Sequence, residues 1–526
     1  MEFNRKSPKI KLIEIIPKPY NLSIATARTC YSSKGIITPE EVDKDEKSRA
    51  LRDRIAQSTL EAGHLTTRQH AHFVFSMDAV SRSFIWSFLH SHPFYNSEQV
   101  SQRYVRVQPD NFHIPDLKSE NLKIYEDALS MQMENYNQLI ELVKPTIQKE
   151  YYKIFPHRLK NREKWGPLVL KKTYEVARYC LPIATHAYLY HTISALTLMR
   201  YYKMASIFDT PCEQKLVIDQ MISEVRKHDP LFEKELQDPY PLEATPEFKL
   251  MEEFGTTPSM SFQRKLESSS FTKEFDHTLE GRWSKLIDYK INAEHTLARS
   301  VRTILGIPHK NLPDHEAIER VLNPKYNPYL SDTLNPNMHT KLSRALCHVH
   351  FTFRKKLSHT ADSQEQRHRM TPGSRPVLET HYHGKPDYIT PLVIKQTPQA
   401  EEVYEKTMEN SYKAINQLLE KGESFENAHY LLPNAHAIRF EESGDLLNFH
   451  HKWKLRTCYN AQEEIFYSSI DELVQVNQVF PLIGKHILAP CYLRKQAEKK
   501  PYCPEGDRYC GVPVWRKEIK EYKRLI

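Results

Sequence analysis

Glycine is scarce in this chain, at 13 of 526 residues, while apolar residues make up 40% and aromatic residues 11%. That balance excludes a low-complexity or disordered polymer and describes a well-packed globular protein. Long apolar runs are also missing: no stretch of about 18 apolar residues occurs, so no transmembrane helix is expected. The opening residues, MEFNRKSPKIKLIEI, have neither an apolar core nor a cleavage site, so secretion is not expected. Cysteine is thinly spread: eight are scattered through the chain, none in a C-x2-C pair, which reads as reduced thiols in a cytoplasmic protein. A strong charge of one sign is absent too. The net charge of +8 suits phosphate-bearing ligands, but it is diluted over a large surface, and neither a nucleic-acid nor a membrane partner is expected.

What is present is repetition. The length exceeds one ordinary core and calls for two or more domains. KLIEI at 11–15 is followed by Arg28-Thr29, and KLIDY at 285–289 by Arg302-Thr303 at the same separation. Ser91-His92 precedes Glu98-Gln99 at the spacing by which Ser358-His359 precedes Glu365-Gln366. ARYCLP at 177–182 is matched by AHYLLP at 428–433. Three anchors in one order indicate a duplicated domain. The copies are read as 8–230 and 282–490, joined by a Pro-, Glu- and Ser-rich linker (231–281) with one short helix, and followed by a tail (491–526). Short β-branched strands alternate with amphipathic helices such as 125–152 and 400–421, which makes the fold class α+β.

One segment carries chemistry. GHLTTRQHAHFVF opens at Gly63 and SEQVSQRYV closes around Tyr104. The pair resembles the flavin-dependent thymidylate synthases, whose pattern is G-H-x-S/T-x-x-E-H-x-x-F and then R-H-R-x-x-S-x-N-E-x-S-x-R-Y. Gly63, His64, Thr66, His70 and Phe73 fit, with Gln69 in place of Glu; Gln99, Ser101, Arg103 and Tyr104 fit at the far end. The R-H-R is read as missing from both copies, copy one having His90-Ser91-His92 or, with a one-residue gap placed differently, Ser91-His92-Pro93. The family's N-x-R is missing as well: Ser194 and Leu196 in copy one, Asp445 and Leu447 in copy two. The resemblance implies α/β domains arranged as a tetramer, with FAD, a folate and NADPH serving reductive methylation of dUMP at C5. A duplicated chain would recreate that tetramer as a homodimer.

The resemblance also sorts the nucleotide-binding residues. Copy one keeps the loop Gln99, Ser101, Gln102 and Arg103, and Arg178 in A-R-x-x-L-P. Copy two is read as having lost both, with Gln366-Arg367-His368-Arg369 at the loop and His429 for the arginine. Conversely, copy two keeps Arg456 before A-Q-x-E-I, and copy one has Ala205 there. The losses are complementary and imply one composite nucleotide site made from Gln99, Ser101, Gln102, Arg103 and Arg178 of copy one with Arg456 of copy two. Forked guanidinium donors suit phosphate. His64, Thr66 and His70 stand at the family's flavin-side segment. The cluster Arg367, His368, Arg369 and Arg375 supplies substitute cations for the flavin, or is a solvated basic turn. Rival readings are a flavin enzyme acting on another nucleotide and a non-catalytic nucleotide-binding paralogue.

In the tail, Cys491, Cys503 and Cys510 fall within twenty residues, with His486 just before. Thiolates and an imidazole suit zinc, and three cysteines suit an iron–sulfur cluster. A turn-rich tail that packs Tyr509 and Trp515 on the core is the alternative.

Overall fold

The computed structural model describes residues 5–207, 209–255 and 262–526. Copy one forms an antiparallel sheet from β1 (Lys9–Ile15), β2 (His72–Ser81), β3 (Tyr95–Gln99) and β4 (His186–Ser194), in the order β1-β2-β4-β3. Copy two forms the same sheet from β5 (Ser284–Tyr289), β6 (His350–Ser358), β7 (Gly373–Ser374) and β8 (Ala437–Asp445), in the order β5-β6-β8-β7. With helices around both sheets, the α+β class and the tandem organisation stand. KLIEI and KLIDY lie on equivalent edge strands. Each carries a bulge at the same place, between Leu12 and Glu14 and between Leu286 and Asp288.

The equivalence of β2 and β6 rests on a repeat the three anchors overlooked. His70-x-His72-Phe73-x-Phe75 recurs as His348-x-His350-Phe351-x-Phe353. All four phenylalanines are buried, because alternate residues of a strand face the core. Each strand ends in a serine that caps the next helix: Ser81 accepts from Phe84 N–H and Ser358 from Ala361 N–H. This overturns the second anchor. Ser91 lies beyond the C-terminus of the helix Arg82–His90, whereas Ser358 stands before the helix His359–Glu365. The structural counterpart of Ser358 is Ser81. An identical spacing of two common dipeptides was coincidence.

The third anchor marks a pseudo-twofold axis. Ile183 N–H donates to the Leu432 carbonyl (2.8 Å) and Ala184 N–H to that of Tyr430 (2.9 Å). Reciprocally, Asn434 N–H donates to Leu181 (2.8 Å) and Ala435 N–H to Tyr179 (2.9 Å). Around the axis the long helices Ser119–Ile154 and Pro398–Glu420 pack together in one apolar core shared by both copies. Each sheet has a second core beneath its own buried face.

The axis is braced by two swapped carboxylates. Glu213 accepts from Ser81 N–H (2.7 Å), Ser81 Oγ (2.6 Å) and, across the axis, Tyr430 (2.7 Å). Glu464 does the same with Ser358 (2.6 and 2.5 Å) and Tyr179. The A-Q-x-E-I glutamate is therefore a buried strut.

The linker holds more helix than its sequence suggests: Pro246–Glu253 and the longer Phe262–Thr278. The second has no apolar period because charge fastens it. Asp276 pairs with Arg439 (2.8 Å) and Lys356 (2.6 Å), and Thr278 accepts from Arg354 (3.1 Å). These cations line the outer face of copy two's sheet, which the linker helix covers.

Candidate nucleotide site between the copies

Counting nine residues on from each capping serine places Arg367 opposite His90. The R-H-R is thus not missing from the chain. Arg367-His368-Arg369 occupies its position in copy two, and the reading of that segment as a replaced nucleotide loop is corrected. The counterpart of the loop lies further on, because Glu98 and Ser374 pair with equivalent positions of β4 and β8 (Tyr190 and Glu441). Five residues after Glu98 comes Arg103; five after Ser374 comes Glu379.

The corrected motif lies against copy one. Arg367 pairs with Glu98 (2.9 Å). Arg369 donates to the Pro93 carbonyl (3.1 Å) and to Asn96 (3.3 Å), and its guanidinium sits 5.0 Å from the centre of the Tyr95 ring. Arg456, at the end of the helix Leu446–Arg456, donates from Nε to His368 Nε2 (2.8 Å) and from its terminal nitrogen to the Gln364 carbonyl (3.1 Å). His368 Nε2 therefore accepts. Burial, and next the charge of Arg456, hold its pKa well below the usual imidazole value, so it is neutral.

Copy one brings the loop to the same place. Arg82, which sequence reasoning passed over, donates to Gln99 Oε1 (2.8 Å) and to the Val100 carbonyl (2.6 Å), and so fixes the loop's entry. Ser101 Oγ accepts from Arg103 N–H (3.2 Å). Gln102 is buried, its Oε1 accepting from Asn434 of copy two (3.2 Å). Arg103 spans the copies: its Nε pairs with Glu175 (2.6 Å), and its terminal nitrogen donates to the Asn460 carbonyl (2.9 Å), four residues past Arg456. Burial lowers the Arg456 pKa; Glu365 opposes this, and the charges of Arg103 and Arg367 add to the lowering. A cavity of about 760 Å³ opens beside Arg103, Tyr104 and Asn460.

Arg178 is 4% exposed, and two of its nitrogens, Nε and one terminal nitrogen, are buried without a hydrogen-bond partner. Burial is the chief influence lowering its pKa. Glu175, the carboxylate that most favours its charge, is claimed by Arg103. Burial pushes Glu175 up, but Arg103, Lys172, Arg524 and Arg178 outweigh that and hold it at about 2. Unpartnered buried N–H groups on a cation are costly unless an anion completes them.

The pseudosymmetric position is built differently. It is a cavity of about 480 Å³ lined by His90, Ser91, His92, Ser374 and Arg375. Ala205 stands for Arg456, His429 for Arg178 and Glu379 for Arg103. His429 shares a hydrogen bond with Ser83 Oγ (2.7 Å), and Arg375 is neutralised by Asp362 (2.8 Å).

His64, Thr66 and His70 are exposed on the segment leading into β2. His72 pairs with Ser194, and the adjacent Ile193 pairs with Tyr95. These residues thus share the end of the sheet where Arg369 docks, about two strand spacings or roughly 10 Å across. His486 is not with the tail cysteines: it meets Glu319 (2.9 Å), and its place among candidate ligands is corrected. Among the described residues no three His, Cys, Asp or Glu groups are set to hold a metal ion as they stand. No helix among them is long and apolar enough to cross a membrane.

The sequence profile of the family described as thymidylate synthase complementing protein matches residues 11–231 and again 285–482. A flavin-dependent thymidylate synthase from Clostridium tetani is 28% identical over 222 residues, 42% of this chain and 82% of the relative. One from Nitratidesulfovibrio vulgaris is 31% identical over 178 residues, 31% of this chain and 69% of the relative. A solved UMP/dUMP methylase, PolB from Streptomyces cacaoi, aligns at 16% identity and a TM-score of 0.32 over 44% of this chain and 95% of its own. Each relative spans about one copy, and the profile matches twice. The chain belongs to the thymidylate synthase complementing protein family, as a tandem duplication of its domain.

Proposed function

We propose that this protein is an FAD-dependent enzyme that methylates dUMP, or a related uridine nucleotide, reductively at C5, in one composite site per chain. The observation that carries this reading is the division of cationic groups. Ser101, Arg103 and Arg178 come from copy one; Arg367, His368, Arg369 and Arg456 come from copy two. The pseudosymmetric position lacks their counterparts. In this reading Arg178 and Arg103 take the phosphate, with Ser101 and the loop N–H groups beside them. Arg456 holds an edge of the base, kept in place by the neutral His368.

The donor set fits an anionic dinucleotide. Arg367 is exposed and Arg369 half-buried on one side, and His64, Thr66 and His70 stand at the same end of the sheet. FAD, when bound, supplies hydride, and these residues hold and orient it. No protein nucleophile is required. The chain's contribution is to place the nucleotide and polarise its base through fixed cations. Folate as carbon donor and NADPH as reductant belong to the same proposal, as does a homodimer. The dimer is supported by the outer face of copy one's sheet, where Tyr188 and Tyr190 are exposed in a position that the linker helix covers in copy two.

The test is direct. The purified protein is expected to be yellow, with a flavin absorbance band. With methylenetetrahydrofolate and NADPH it is expected to release tritium from C5-labelled dUMP. Colourless protein that binds dUMP without turnover would favour the non-catalytic paralogue. Flavin with turnover of a different nucleotide would favour the second enzyme reading.

A further inference from the structure

Four of the eight cysteines meet around one small cavity. Cys458, Cys491, Cys503 and Cys510 line a space of about 30 Å³ together with Pro490, Pro504 and Val514. They arrive from three places: the turn after the helix that ends at Arg456, the first turn of the helix Pro490–Gln496, and the tail. All are free thiols. The tail turns sharply beside two of them. Cys503 is followed by Pro504 and then Gly506 (φ 54°), and Cys510 by Gly511 (φ 81°). At Gly511 a Cβ would also meet Ile154 Cγ2 at 2.2 Å, so the turn is seated tightly on copy one's long helix.

We propose that Cys458, Cys491, Cys503 and Cys510 bind one zinc ion as four thiolates. Soft sulfur donors from separated segments around one small cavity suit a tetrahedral ion with Zn–S bonds of about 2.3 Å. The tail has only a thin apolar base, mainly Tyr459, Phe466, Val514 and Tyr522, so an ion there fastens what packing alone holds weakly. In the thiol form the side chains do not yet converge on one point. Cys510, for instance, donates to the Val512 carbonyl at 3.5 Å. Loading therefore requires four protons to leave and the sulfurs to turn inward. The ion would sit two residues from Arg456, in the turn whose Asn460 carbonyl holds Arg103.

The experiment counts metal on the full-length protein purified under reducing conditions, which needs no nucleotide and stands apart from the function proposed above. One zinc per chain is expected, with X-ray absorption showing four sulfurs at about 2.3 Å. Cys503→Ala and Cys491→Ala are expected to lose the zinc, and Cys30→Ser, at an exposed thiol elsewhere, to keep it. Should those variants fail to fold, cobalt added to the metal-free wild type is expected to give the charge-transfer and d–d bands of a tetrahedral tetrathiolate. The proposal is overturned by a folded protein with neither zinc nor a cobalt spectrum, by nitrogen or oxygen in the metal's first coordination sphere, by iron with acid-labile sulfide, or by disulfides between these four cysteines.

Discussion

Arg178 and Glu175 express the site at the scale of single residues. Arg178 is buried with donors that no protein group meets, a condition that weakens the empty protein and favours the occupied one. Arg178→Met is expected to leave thermal stability equal or higher, because a buried unpaired cation is replaced by an apolar chain of similar reach. The same change removes charge-assisted bonds of about 1.5–3 kcal/mol, roughly ten- to a hundredfold in affinity. Thermal unfolding reads both effects: dUMP should raise the wild-type midpoint and leave the variant's unchanged. Glu175 adds a pH dependence. Its folded pKa, about 2, lies below the ordinary carboxylate value, so its contribution is complete above about pH 4.5 and is lost as pH falls through about 2. A shift of that size corresponds to about 3 kcal/mol. Urea unfolding of Glu175→Gln should show a shallower loss of stability between pH 5 and 3 than the wild type.

Among the elements, the two copies build the same positions from opposite chemistry. Under copy two's sheet Lys355 meets Glu442 (3.1 Å) and Glu472 (2.8 Å), while Lys452 meets Glu442 (2.5 Å) and Glu365. At the matching positions copy one has Met77, Phe88, His191, Tyr201 and Met221. The ionic set lies beneath Arg456 and the R-H-R, and Glu365 favours the charge of Arg456 there. Removing one member strands a buried charge, so Lys452→Met should cost about 3–5 kcal/mol in chemical denaturation. Tyr201→Phe, at the same place in copy one, should cost about 1 kcal/mol or less. This contrast also shows what the sequence revealed and what it hid. KLIEI with KLIDY, ARYCLP with AHYLLP, and the long amphipathic helices were legible because strand alternation and helical period show on their surfaces. The R-H-R was hidden by a false register between two Ser-His pairs, although the H-x-H-F-x-F repeat would have corrected it. Arg82, Glu175 and the Glu213–Glu464 brace were not legible at all, since their partners lie far away in sequence. The linker helix escaped notice because ion pairs hold it, leaving no apolar period to read.

At the scale of the whole molecule, the linker makes the two sheets unequal. In copy two Arg439 and Glu441 face outward, Arg439 held by the linker's Asp276; the matching residues of copy one are Tyr188 and Tyr190, 56% and 57% exposed. The proposed dimer would use this face of copy one. Light scattering should give twice the 62.0 kDa chain mass, and Tyr188→Glu with Tyr190→Glu should give the single chain mass. A wild type that stays monomeric at micromolar concentration would remove the dimer from the account.

The most direct test of the composite site is a calorimetric titration of dUMP into the full-length wild type, Arg178→Met, Arg456→Ala and the double variant. The account predicts one nucleotide per chain, a loss of roughly ten- to a hundredfold for each single variant although they lie in different copies, and a double variant well short of the sum because both arginines serve one ligand. Two nucleotides per chain, wild-type affinity in Arg456→Ala, or strictly additive losses would contradict it.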